Sequence, residues 1–173
     1  MVEIVSVLIA FIPALIIAVV ALLLVKWFLK NAKLQHEREL LFSQKKELLA
    51  HRLQAYERLT LYLERMMPES LVLREQQSGM SSHQFHTHLL KTIRKEFEHN
   101  LAMQIYLPSS TWETIRGTRE ELIKLINTCA AECSPVSPSI ELGRLLLERA
   151  GGGTTFQILN ALETLKKDIA RFD

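Results

Sequence analysis

Residues 4–25, IVSVLIAFIPALIIAVVALLLV, run for 22 positions without a charged side chain. As a helix rising about 1.5 Å per residue, such a run is roughly 33 Å long, enough for a bilayer core of about 30 Å. A cleaved signal sequence is the competing reading. It calls for a basic stretch ahead of a shorter apolar core and a small-residue cleavage site. Here Glu3 precedes the run and KWFLKNAK follows it. The expectation is a retained transmembrane helix over 4–25, with a short external N-terminus over 1–3.

The flanking charge sets an orientation. Lys26, Lys30 and Lys33 lie just past the run. An excess of Lys and Arg marks the cytoplasmic side. The bulk of the chain is therefore expected in the cytoplasm, anchored once in a bacterial inner membrane with the N-terminus outside. Trp27 fits an aromatic anchor at headgroup level beside those lysines. Within the run, Ser6, Ala10, Ala14 and Ala18 recur every four residues. A ridge of small side chains lets a second helix approach closely in lipid, where packing drives association. No ionisable residue interrupts the span, which argues against a proton or ion relay through it.

The remainder, 26–173, suffices for one modest domain. The net charge of +2 is too small to indicate nucleic acid. Cys129 and Cys133 stand four apart, so a helix would put them on one face; in a reducing compartment they are expected as free thiols.

From Lys26 to Met67 there is no Gly or Pro, and Leu, Glu, Lys, Arg and Gln favour a helix. Leu34, Leu41, Leu48, Ala55 and Tyr62 recur every seven residues, but Arg38, Lys45 and Arg52 occupy the companion position. That supports a long coiled coil only weakly. Leu49, Leu53, Tyr56, Leu59, Leu63 and Met66 form a better apolar stripe. The expectation is a basic stalk helix over 26–67 that merges into a helical bundle over 68–173. Pro68 is expected to end the helix and 69–79 to connect, with Leu71 to Leu73 packing on the domain.

Four of the six histidines fall in SSHQFHTHLLKTIRKEFEHN, 81–100. Ser81 and Gln84 have the spacing of a capping box, with Met80 and Phe85 placed as a staple. On the helix that follows, Phe85, Leu89, Leu90, Ile93, Phe97 and Leu101 share one face. His86 points into that face and His83 lies at its edge, while His88 and His99 point the other way. A metal needs about three or four converging ligands, and two at most converge here. The expected role of His86 is a buried, hydrogen-bonded side chain. Glu96 and Asn100 flank the apolar face and are candidates for a polar network with Arg65 or Arg94, or for a partner contact together with His99.

Ser110 and Glu113 suggest a second capping box, ahead of a stripe of Trp112, Ile115, Leu122, Ile126, Cys129 and Cys133. SPVSP ends that helix, and Pro138 sits early in the next, SIELGRLLLERA. The glycines 151–153 make a break. A last helix carries Ile158, Leu162, Leu165, Ile169 and Phe172. With no alternating β-branched segment, the fold class is all-α: a transmembrane helix, a basic helical stalk and a cytoplasmic bundle. No phosphate loop or nucleophile elbow is present. Aspartate occurs only at 168 and 173, which leaves carboxylate-pair chemistry to the glutamates.

Three stretches, LQAYERLTLYLERMMPESLVLR, IRKEFEHNLAMQIYLPSSTWETI and ELIKLINTCA, carry a resemblance. The specific part is EFEHN, Glu96 to Asn100, with QIY, Gln104 to Tyr106. They resemble a family of small uncharacterised single-pass membrane proteins of Bacteroidetes bacteria, over roughly residues 5 to 130. The resemblance implies a lineage, an architecture and a Gram-negative inner membrane; it implies no catalytic residue.

Two functions follow. One is a membrane-anchored interaction protein without catalytic site, metal or cofactor: a scaffold or accessory subunit of an inner-membrane assembly. Its partners are lipid and another membrane protein or itself, with no nucleic acid and no identified small-molecule substrate. The alternative is a membrane-tethered metal-binding or catalytic helical domain using His83, His86, Glu96 and His99.

Overall fold

A computed structural model describes residues 2–171, with side chains described at Pro13 and from Leu15 onward. The described residues are helical throughout: α1 (Val2–Met66), α2 (Pro68–Glu75), α3 (Ser82–Asn100), a 3-10 turn (Leu101–Tyr106), α4 (Ser109–Glu132), α5 (Ser139–Ala150) and α6 (Thr154–Ile169). Among them there is no strand, and Ser81 and Pro138 form an isolated antiparallel bridge. The chain divides into two compact units, Met1–Leu49 and Ala50–Asp173.

The first unit is helix alone. Its apolar segment is long enough to cross a membrane by length and composition, and the large side chains from Leu15 to Leu29 are exposed. Ala18, Lys26, Trp27, Lys30 and Lys33 are exposed too. The side chains of Ser6, Ala10 and Ala14 lie outside the described residues.

The second unit is built on the last turns of α1. Tyr56, Leu59, Leu63 and Met66 are buried at i, i+3, i+7 and i+10, the spacing of one helix face. Leu49 and Leu53, expected to open this stripe, are 40% and 39% exposed; the buried stripe opens at Ala55. Pro68 does end α1, but residues 68–75 are a helix rather than a connector. Proline at the first helical position lacks only an N–H that has no partner there anyway. Leu71 and Val72 are buried, whereas Leu73 is exposed, because three consecutive helical residues cannot all face one side.

α3 opens on the expected capping box: Ser81 accepts from the Gln84 N–H, and the Gln84 side chain accepts from the Ser81 N–H. Phe85, Leu89, Ile93 and Phe97 enter the core. Leu101, expected on the same face, is exposed, because the helix tightens into the 3-10 turn at that residue and the periodicity changes. The first amides of α3 are taken up by the α4–α5 loop. Ser82 donates to the Ser137 carbonyl at 2.7 Å and His83 to that of Pro135 at 3.2 Å. Ser139 N–H donates in return to Met80 O at 3.0 Å.

The capping box expected at Ser110 and Glu113 does not form. α4 begins two residues earlier, at Ser109, with Pro108 rather than Ser110 in the capping position and no side-chain cap. Glu113 pairs with Arg116 instead. The early start lets Trp112 N–H reach Pro108 O at 3.1 Å as Thr111 and Trp112 become buried. Cys129 is buried and Cys133, just past the helix, is half-buried; both are free. Burial pushes both thiols above their ordinary range.

Pro138 precedes α5 rather than lying inside it. A Cβ on Gly143 would come within 3.3 Å of Val72, so α5 lies close against α2. The glycines 151–153 form the turn into α6. Ile158, Leu162 and Leu165 are buried as expected, but Ile169 is 36% exposed and Asp168 is buried in its stead. Asp168 meets Thr111 in the first turn of α4, so Ile169 lies beyond the point where α4 can cover it. Phe172 lies outside the described residues.

Candidate functional site

Because α3 commits Phe85, Leu89, Ile93 and Phe97 to the core, its opposite side aligns His88, Thr92, Lys95 and His99. α2 and the end of α1 bring Glu75 and Arg65 against that row. Together they line an open groove of about 730 Å³.

Glu75 is the centre of its polar chemistry. Arg74 Nε donates to Oε1 at 2.8 Å, and His88 Nε2 and Thr92 Oγ1 donate to Oε2 at 2.8 and 3.2 Å. A carboxylate only accepts, so the His88 proton sits on Nε2. Burial alone pushes the Glu75 carboxyl up, but the hydrogen bonds from Arg74, His88 and Thr92 together hold it below its ordinary 4.5. A carboxylate this well provided with donors is a poor proton acceptor near neutrality. Its effect is to orient His88.

At the groove's other end, Arg65 Nη2 pairs with Glu96 Oε1 at 2.8 Å. The Arg65 carbonyl accepts from Arg74 Nη1 at 3.2 Å, so Arg65 links both clusters. EFEHN divides by depth. Glu96, Glu98 and His99 line the groove. Phe97 lies in the core, stacked on Trp112 with ring centres 5.3 Å apart, and the Arg119 guanidinium carbon sits over the Phe97 ring, 4.0 Å from its centre. Asn100 is buried and donates to the Glu96 carbonyl at 2.8 Å, which fastens the end of α3. In QIY, Tyr106 stacks on His51 and Ile105 is exposed.

The four residues of the catalytic or metal-binding alternative are not brought together. His99 and Glu96 line the groove. His83 and His86 line a separate recess with Asn127, Ala130, Cys133 and Pro135. His86 is half-buried rather than buried, and its Nε2 donates to Asn127 Oδ1 at 2.8 Å. Among the described residues no three His, Cys, Asp or Glu side chains are grouped to hold a metal ion.

Glu75, Asp168 and Arg119 are not among the candidates that the sequence singles out. Glu75 lay in a segment read as connector, and nothing along the chain pairs it with His88. Arg119 follows Phe97 by 22 positions, on another helix. Asp168 could have been found: it falls three residues after Leu165, on the edge of the α6 stripe.

The profile of a family described as a family of unknown function (DUF7935) matches residues 2–172. No curated protein and no solved structure matches the chain.

Proposed function

The chain belongs to this family of unknown function, and from that premise we propose that it is a membrane-anchored interaction protein, a scaffold or accessory subunit of an inner-membrane assembly. The observation that carries the reading is the first unit. Its uncharged side chains from Leu15 to Val25 are exposed along the helix, a state that water penalises and lipid does not. The exposed Lys26, Lys30 and Lys33 with Trp27 support an interfacial collar and a cytoplasmic second unit. The EFEHN and QIY segments support a place among the single-pass proteins of Bacteroidetes.

In the second unit two carboxylates of the groove are already paired. Glu75 is held by Arg74 and His88, and Glu96 by Arg65. That arrangement favours a fixed surface for a partner over a reacting centre. The helix–helix contact in the bilayer falls to the face of Ser6, Ala10, Ala14 and Ala18.

The test is purification of C-terminally tagged protein from its native membrane in gentle detergent, followed by native mass and mass spectrometry. A stoichiometric membrane partner, lost when Ala14→Leu roughens the small-residue face, is the expected result. A monomer with nothing bound would sink the reading.

A further inference from the structure

We infer that residues 34–48 are a docking strip for an acidic amphipathic helix on a second membrane-anchored protein. This rests on the anchored reading above and names the chemistry of the partner. Leu34, Leu41 and Leu48 are 43%, 59% and 54% exposed. Their seven-residue spacing brings them to one seam of α1. Phe42, 72% exposed, and Leu49 widen the apolar strip on one side. A contiguous exposed apolar strip rimmed by charge marks an interaction surface.

The occupant follows from what lies between the leucines. Arg38 and Lys45 stand four residues after Leu34 and Leu41, in the second seam position, where a two-stranded coil ordinarily places a β-branched apolar residue. Both are exposed, and neither has an ion-pair partner among the described residues. Two copies of this chain, anchored through the same segment, would lie parallel and in register. The second seam position of a parallel pair faces itself, so Arg38 would meet Arg38 and Lys45 would meet Lys45. Such facing like charges disfavour the pair. Within the strip Arg38, Lys45 and Lys46 are balanced by Glu37, Glu39 and Glu47, so the selecting charge is that of the two seam cations and not an overall basic excess. A partner helix with apolar residues opposite the leucines and Glu or Asp opposite Arg38 and Lys45 meets both requirements. The leucines supply buried area, and the charges supply choice of partner and orientation.

The test uses the full chain in nanodiscs of uncharged lipid and three labelled peptides of about four heptads. The first has leucine at the first seam position and glutamate at the second. The second replaces those glutamates with lysine. The third keeps the acidic composition but scrambles the leucine order. Fluorescence anisotropy is expected to give binding of the first at least about tenfold tighter than of the other two. Leu41→Lys should abolish it, and Arg38→Glu with Lys45→Glu should invert the preference between the first two. Equal binding of the scrambled peptide would reduce the strip to net charge and overturn the proposal, as would no binding of any peptide. A native mass of two copies that falls to one in Leu41→Lys would assign the seam to a second copy. Quenching of Phe42→Trp by brominated lipid would assign it to the membrane surface. Either result overturns the proposal. Recovery of a stoichiometric partner by Leu41→Lys in the tagged purification would overturn this strip while leaving the accessory-subunit reading intact.

Discussion

Asp168 and Tyr62 are both buried in the second unit, with opposite consequences. The Asp168 carboxylate accepts from the Thr111 hydroxyl and ties the end of α6 to the first turn of α4. Asp168→Ala leaves that hydroxyl buried without its partner and should cost about 1–3 kcal/mol. Asp168→Ala combined with Thr111→Val should recover part of the loss, since removing both partners is milder than orphaning one. Urea titration followed by fluorescence checks both variants. Tyr62 has no hydrogen-bond partner for its phenol oxygen, and burial pushes that phenol well above its ordinary range. Tyr62→Phe keeps the ring against Phe97 and removes the unserved oxygen. It should leave stability unchanged or raise it by about 1 kcal/mol in the same titration. The α6 stripe marks the position of Asp168 along the chain, but the partner of neither side chain is legible there. Both depend on what stands opposite, and Thr111 lies 57 positions from Asp168.

At the scale of the element, α2 gains most of its polar fixing from Glu75. The folded state holds this carboxyl below its ordinary value. Its contribution is therefore complete above the unfolded pKa and is lost as pH falls through the folded one. The wild type should lose stability more steeply than Glu75→Gln below about pH 4.5, the ordinary value, in thermal melts stepped down in pH. Where an element's end is written in local chemistry, the sequence told it well. The Ser81–Gln84 box and the 151–153 glycines placed the start of α3 and the end of α5. The start of α4 differs from the expectation because Ser110 and Glu113 have capping spacing, while burial of Trp112 decides the register. α2 does not announce itself along the chain, because eight residues with proline at the front are too few to show a helical period.

At the scale of the molecule, the last turns of α1 supply Tyr56, Leu59, Tyr62, Leu63 and Met66 to the core of the second unit. A fragment of residues 50–173 should fold cooperatively without detergent. A fragment beginning at Pro68 should not, because it lacks those side chains; circular dichroism melts of the two decide it. The all-helical class and the long apolar first helix were plain from composition and run length. The groove was not, since it needs α2, whose residues read as a connector along the chain, folded as a helix between the end of α1 and α3. The strap between the α4–α5 loop and the head of α3 has its own kinetic signature. The opening amides of a helix normally face water and trade their hydrogens for deuterium almost at once. Here the Ser82 and His83 amides are bound to Ser137 and Pro135. They should exchange with the slow interior of α3, and the loop and helix should open to solvent as one event.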